Sequence, residues 1–331
     1  MPFFNHTIPD TFKSTERLDK YIASLEDGFN RSKLKSTATE ILVNDKAAKL
    51  SQKVKAGDVI DIQWDENIPT DIEPEKIPLN IIYEDENVTV VNKEQGMVTH
   101  PAAGNWNGTL VNALLYHWGR EAIKDLEGDE DTQKVLANRR PGIVHRLDKD
   151  TSGIIVTAKN SEAHEWLSEQ FLHHNLHKEY ILITKGRPPA SAGDVQTQII
   201  RDPRDRKKYK AAVDTTEGKF ARTLYRVIAY YGNYSLIRVR LKTGRTHQIR
   251  VHMKYLGCPI LGDPIYGKTD DIFKDATLML HSRQIDIKLP GREDFVRFKA
   301  AVPERFHKVI KTLKEKYSKE VPPLPKKLKK I

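Results

Sequence analysis

Two segments of the chain hold residue types whose spacing could do chemistry. In GIVHRLDKDTSGIIVTAK, Gly142 to Lys159, one arginine and two aspartates stand beside a Thr-Ser-Gly turn between two apolar runs. In an extended segment side chains alternate with a period of two, so Arg146 and Asp148 share one face and His145 and Leu147 the other. A carboxylate anion placed there can act as a nucleophile or as a base. Asp150, inside the turn, is expected to make Asx-type hydrogen bonds. Spacing alone favours a plainer reading in which Asp148 also serves only the turn. The second segment is RLKTGRTHQIRVHMKYLGCPILGDPIYG, Arg240 to Gly267. Thr246 is expected to cap a helix running to Leu256, with Gly257 as its stop. Ile249, Met253 and Leu256 would then face the core. Arg250 would project near the helix start and Arg245 would lie in the preceding turn, both readable as plain surface charge.

Metal and nucleotide chemistry find little support. Asp148, Asp150, Ser152 and Gly153 copy the start of a calcium loop, but its last position would need a glutamate and is Lys159, and the flanks read as strands. Glu169, His173 and His177 would share one helical face and could ligate zinc, though a solvated or phosphate-facing histidine cluster is the commoner arrangement. His247 and His252 are five apart, off the spacing that pairs two histidines on one metal. The chain has no phosphate-binding G-x-x-x-x-G-K-[ST] loop, no G-x-G-x-x-G after a strand and no H-E-x-x-H. No metal site is expected.

These residues need elements to position them. With 331 residues, 38% apolar and 30% charged, the chain reads as a globular protein of more than one unit, without an apolar run that could span a membrane. Its N-terminus shows no secretion signal, and the single cysteine, Cys258, suits a reducing cytoplasm. The formal net charge of +10 is unevenly placed: 15 Lys/Arg face 4 Asp/Glu between Arg201 and Lys254, and 9 face 2 from Lys308 to Ile331. Aromatics interleave with the cations of the internal stretch, as in surfaces that bind nucleic acid. The basic tail reads equally as a solubilising segment.

Residues 1–14 read as an arm. Residues 15–66 form a helix-helix-hairpin unit, with Leu18, Ile22 and Leu25 on one helical face, Asn30 or Ser32 capping a second helix, and a hairpin turning at Asn44-Asp45. Residues 67–80, with three prolines, read as a linker. Residues 81–305 alternate short β-rich runs with short helices, and 306–331 hold a final helix, with Phe306, Val309, Ile310, Leu313 and Tyr317 at helical spacing, and the tail. This is an α+β chain whose larger domain has a mixed, largely antiparallel sheet.

The order of the first unit resembles the S4 RNA-binding domain, carried by RLDK at its start and VNDK and VKAGDVI at its end. That resemblance implies that Arg17, Lys20, Arg31, Lys33 and Lys35 segregate onto one RNA-facing surface, although residues 1–66 carry 10 Lys/Arg against 11 Asp/Glu. Farther on, RPGIVHRLDKDTSGIIVTAKN resembles the signature of the pseudouridine synthases of the RluA type. VVNKEQGMVTHPAAGNWNGTLVNAL, HKEYILITKG and GRTHQIRVHMKYLGCPILGDPIYG are similar to three further elements of that family, in the family's order. The resemblance implies that Asp148 is the nucleophile, Arg250 its salt-bridge partner and Tyr180 the aromatic against a flipped uracil, with a part in removing the C5 proton. It further implies that Arg146 fills the space left by the extruded nucleotide, that Ile249 walls the pocket and that His145 and Arg245 lie toward the RNA. Glu94 stands where the family usually has proline, which bears on substrate choice.

The expected activity is therefore isomerisation of uridines in RNA, consuming no cofactor. An S4-like module ahead of such a domain is the arrangement of members acting on large-subunit ribosomal RNA, so the expected partner is that RNA or a pre-ribosomal particle, met by a monomer. A transfer-RNA enzyme of the same superfamily and a non-catalytic ribosome-assembly factor are the competing expectations.

Overall fold

The computed structural model describes residues 3–25, 38–64, 72–102, 104–119, 141–205, 207–213, 215–323 and 329–330. The chain divides into two compact units, Met1–Ile72 and Glu73–Ile331.

In the first unit strand β1 (Phe3–Thr7) precedes β2 (Glu16–Arg17), helix α1 (Leu18–Ala23), β3 (Ala38–Val43), β4 (Lys46–Ala47), β5 (Lys53–Val54) and β6 (Val59–Trp64). A four-stranded sheet runs β1-β6-β3-β4, and β2 pairs with β5. Ile60 and Ile62 alternate inward along β6 and meet Leu18, Tyr21 and Ile22 of α1 in one core. The β3–β4 turn falls at Asn44 and Asp45, whose φ values of 53° and 61° are those of the two-residue hairpin expected from Asn-Asp. Within the segment read as an arm, Phe3 to Thr7 pair with β6 and Ile8 is buried. The expected second helix, with Arg31 and Lys33, lies outside the described residues.

The second unit comprises β7 (Ile81–Glu84), β8 (Val88–Lys93), α2 (Leu110–Trp118), β9 (Ser152–Ala158), α3 (Ser161–Leu172), β10 (His177–Lys185), β11 (Ala192–Arg201), β12 (Tyr209–Ala212), β13 (Lys219–Tyr231), β14 (Tyr234–Leu241), α4 (Gln248–Tyr255), β15 (Leu280–Ile287), β16 (Val296–Lys299), α5 (Glu304–Lys316), β17 (Lys319–Glu320) and β18 (Lys329–Lys330). Among the described residues twelve strands form one sheet in the order β12-β11-β13-β14-β10-β15-β9-β8-β7, with β16 beside β15, β17 beside β13 and β18 beside β11. Pairing is antiparallel except where β9 meets β15 and β18 meets β11. Every residue of β9 is buried, which matches its continuous apolar run, and α3 lays Ala163 and Leu167 against it in the main core. Asn160 caps α3 by accepting the Ala163 N–H at 2.9 Å.

Two boundaries differ from the sequence reading. Residues Glu73 and Glu75 are bonded to the start of α2, through Asn112 Nδ2 to the Glu73 carbonyl and Glu75 N to the Asn112 carbonyl, so the linker does not extend to residue 80. Helix α5 belongs to the second unit, burying Phe306, Val309 and Leu313. Beyond α5, β17 and β18 pair with β13 and β11, so these parts of the basic tail extend the sheet.

Candidate active site

Asp148 stands just before β9, where that strand enters beside β15. The entry needs a glycine: Gly153 has φ of 115°, and a Cβ there would overlap the Ser282 carbonyl of β15. The turn is closed by Thr151 N–H to the Asp148 carbonyl at 3.0 Å. The loop after β8 holds this segment by its backbone. Thr99 Oγ1 donates to the Leu147 carbonyl at 2.9 Å, Gln95 Nε2 to that of Asp150 at 2.8 Å and Lys93 Nζ to that of Lys149 at 3.1 Å. Asp150 is thus held through its carbonyl, where an Asx-type side-chain bond was expected. Lys93 also donates to the carbonyls of Glu94 and Met97, both at 2.8 Å. Its burial pulls the ammonium pKa down to about 7, against the opposing charges of Asp150 and Asp148.

Helix α4 supplies the partner of Asp148. Arg250 Nη1 donates to Asp148 Oδ2 at 3.0 Å, while Nε and Nη2 fork onto the two oxygens of Asp263, each at 2.8 Å. Arg250 is 3% exposed. Asp263 Oδ1 also accepts the Ile265 and Tyr266 N–H groups at 2.9 and 3.0 Å. Burial alone would raise the Asp263 pKa, but the Arg250 hydrogen bonds and charge, with those two N–H groups, hold it below the ordinary carboxylate value. The guanidinium therefore binds three carboxylate oxygens on two acids, which fixes the direction from which it meets Asp148.

The cap of α4 differs from the sequence reading. His247, not Thr246, occupies the N-cap, in the left-handed region and without a side-chain capping bond. Gln248 pins the turn instead, accepting from Thr243 Oγ1 and Arg245 N and donating to the Arg222 carbonyl and Thr223 Oγ1. One turn on, His252 bridges Thr197 of β11 at 3.0 Å and Thr223 of β13 at 2.7 Å. The expected stop at Gly257 is present, with φ of 75°. Burial pulls the His252 pKa down to about 4. Unfolded histidine takes its proton near 6.5, so between that pH and about 4 the unfolded chain binds a proton that the native one refuses. Acidification through this window is expected to cost on the order of 3 kcal/mol through this residue alone. Urea midpoints measured from pH 7 to 4 should fall less steeply in His252→Gln than in the parent, and equal slopes would contradict this.

Tyr180 lies on β10 at a bulge, with Ser282 opposite on β15. Burial, supported by the Asp148 charge, pushes its phenol up to about 12 against a hydrogen bond with Ser282, so the ring is a neutral phenol at rest. Asp148, Tyr180 and Arg250 open on one cleft of about 500 Å³, the size of a nucleotide-binding pocket. Ile249 forms an apolar wall, and exposed Arg146 stands at the mouth. His145 also lines the cleft, but its Nε2 accepts the Val156 N–H at 2.9 Å and its ring stacks on Phe171, 4.3 Å between centroids. That acceptor role requires an unprotonated nitrogen, in line with a pKa pulled by burial and the Lys178 charge to about 3. Arg245 borders the same cleft and donates to the Phe220 carbonyl at 3.0 Å.

The structure thus gathers Asp148, Tyr180, Arg250, Arg146, His145, Ile249 and Arg245 around one opening. Arg17 and Lys20 belong to the first unit, where Arg17 forks onto Asp19 at 2.9 and 3.0 Å and Lys20 is exposed. Arg31 and Lys33 lie outside the described residues. Glu169, His173 and His177 do not share a helical face, because α3 ends at Leu172 and His177 begins β10. Among the described residues no group of three His, Cys, Asp or Glu is placed to hold a metal ion. Sequence reasoning missed Asp263, Lys93 and Lys178. Lys178 also lines the cleft, its Nζ 5.5 Å from the Phe171 ring centre, with a pKa drawn to about 8 by burial and the Arg245 charge. Asp263 and Lys178 stand inside quoted motifs, LGDPIYG and HKEY, which is the one signal that could have drawn them in.

Residues 87–255 match the family model described as RNA pseudouridylate synthase. The chain is 43% identical over 296 residues to ribosomal large subunit pseudouridine synthase D of Borreliella burgdorferi, covering 88% of this chain and 87% of that one. It is 38% identical to an uncharacterised RNA pseudouridine synthase of Bacillus subtilis, covering 92% and 96%. Among solved structures, human RNA pseudouridylate synthase domain containing 4 superposes with a TM-score of 0.55 at 26% identity, covering 74% of this chain and 95% of that one. No helix among the described residues is long and apolar enough to cross a membrane.

Proposed function

Because the chain belongs to the RNA pseudouridylate synthase family, and so is an RNA pseudouridine synthase, we propose that it isomerises specific uridines of large-subunit ribosomal RNA with Asp148 as the nucleophile. The observation that carries the mechanism is the Arg250 fork, which aims one carboxylate into a cleft beside Tyr180. The ribosomal target is supported by relatives from Borreliella burgdorferi and Zymomonas mobilis, each named ribosomal large subunit pseudouridine synthase D and each 43% identical.

The target base cannot be reached inside a stack, so the uridine flips into the cleft at a cost of a few kcal/mol of unstacking. Arg146 fills the vacated space, and Lys178 and Arg245 offset the cost by meeting flanking phosphates. The Asp148 carboxylate attacks the uracil or its ribose carbon. The bond from C1′ to N1 breaks, the uracil turns, a bond from C1′ to C5 forms, the bond to the Asp148 carboxylate breaks to free the acid, and N1 takes up a proton. Loss of the C5 proton completes the isomerisation. The resemblance gives Tyr180 a part in that loss, and since its phenol is protonated at rest, its accepting form has to arise within the turnover. The first unit acts as an S4-like RNA anchor, with exposed Lys20 toward the RNA and Arg17 tied to Asp19.

The test is to map pseudouridines in total RNA from a strain lacking the gene, with and without the wild-type copy. Loss of one or more large-subunit sites, restored by the copy, is the expected result. Loss confined to transfer RNA would move the target to that class, and no loss anywhere would end the assignment.

A further inference from the structure

His247 has features that neither its place in the turn nor the family match accounts for. It is a non-glycine residue held at φ 57° and ψ 15°, a conformation that costs on the order of 1 kcal/mol or more and persists only where the surroundings enforce it. Its ring sits at the cleft edge between two aromatics, Tyr209 and Tyr266, each edge-on with centroids 5.6 Å away. The Tyr266 hydroxyl lies 2.8 Å from Nδ1 and accepts the backbone N–H of Tyr209 at 2.9 Å. That oxygen is already an acceptor, and burial first of all keeps it a phenol, with a pKa near 12. We assign its own hydrogen to the contact with Nδ1, the arrangement in which the oxygen accepts one N–H and donates once.

The consequence is a fixed tautomer. With Nδ1 accepting, the imidazole hydrogen is on Nε2, the nitrogen that faces Asp148 Oδ2 at 3.8 Å. That separation is too long for a hydrogen bond. Nε2–H then faces the nucleophile across the cleft that both residues line, and among the described residues no hydrogen bond takes it.

We propose that His247 is a further catalytic residue, its Nε2–H donating to an oxygen of the flipped uridine next to the glycosidic carbon while Asp148 attacks. This rests on the proposed reaction. As the bond from C1′ to N1 breaks, its electron pair goes to the uracil, and the 2-carbonyl oxygen takes up negative charge. A donor already oriented there stabilises the charge without reorganising. The ribose 2′-hydroxyl is the other acceptor next to C1′.

The experiment uses the full chain and an RNA hairpin carrying the uridine found by mapping. His247→Phe keeps the ring and loses the donor, whereas His247→Gln keeps a terminal N–H, and both side chains suit the left-handed backbone equally poorly. Single-turnover isomerisation is expected to fall roughly 10²–10³-fold in His247→Phe, with RNA affinity within about threefold of the parent, and His247→Gln should recover about tenfold or more of that loss. With 2-thiouridine or 2′-deoxyuridine at the target, the penalty of His247→Phe should shrink in one of the two, which identifies the acceptor. Equal rates for the two variants, or penalties unchanged in both modified RNAs, would overturn the proposal. Should both variants fold poorly, nitrogen-15 spectra of the wild-type imidazole decide: a proton on Nδ1 with Nε2 bare would sink it. A wild-type chain inactive on every RNA would instead count against the proposed reaction.

Discussion

Replacing Asp148 by Asn is expected to stop pseudouridine formation while leaving the protein folded and bound to RNA. The side chain is 20% exposed, and Arg250 keeps its fork onto Asp263 when the Asp148 charge is gone. The amide oxygen still accepts from Nη1, so the position of the loop, held by its carbonyls to Lys93, Gln95 and Thr99, does not depend on the carboxylate. What disappears is the nucleophile. An amide oxygen is a poor one, and loss of a covalent catalyst costs on the order of 10⁴-fold or more in rate. Release of tritium from RNA labelled at uracil C5 measures it directly, with RNA affinity and a thermal melt as companions. Turnover within tenfold of the wild type would remove Asp148 from the nucleophile's role. Unchanged biological activity in a catalytically dead variant would favour an assembly factor that merely keeps the fold.

Much of this site was legible because the motifs name residues, and family motifs survive where geometry is hard to foresee. Asp148, Tyr180 and Arg250 come from three separate stretches, yet each lies in an element whose type could be read: a strand entry, an alternating strand and a short helix. The cap of α4 shows where local rules fail. Propensity favours Thr246 as a cap, but the cap goes to His247, because two tyrosines from distant segments grip its ring and Gln248 takes over the turn. Asp263 was unreadable for a similar reason: its partner is 13 residues away, and only the packing of α4 against the loop after it makes them neighbours. The N-terminal strand and the C-terminal pairings were missed because both are short and take their hydrogen bonds from strands remote in sequence. Neither carries enough period-two signal to declare itself.

Breaking the Arg250 fork is expected to damage stability and catalysis together, and the two can be separated. Arg250→Met strands the fully buried Asp263 with only two N–H groups for its charge, and removing one partner of a buried pair costs about 3–5 kcal/mol. Arg250→Lys keeps a charge but not the fork, so it can serve one acid at a time. It should recover part of the stability, measured by urea midpoints, while isomerisation stays at least about a hundredfold down, because Asp148 is no longer aimed. Asp263→Asn tests the second effect with the nucleophile and the guanidinium both intact, so a fall in the turnover of its folded fraction, measured below its unfolding transition, reports the loss of aiming. Its acid behaviour supplies an independent check. The Asp263 pKa is depressed in the fold, so its contribution is present above the unfolded value near 4 and is lost as the pH falls below it. Asp263→Asn should therefore be less stable at pH 7 yet lose less on going from pH 5 to pH 3 than the parent. If Arg250→Lys matched the wild type in turnover, the fork would be a structural device only, and Asp148 would need no aiming beyond its own loop.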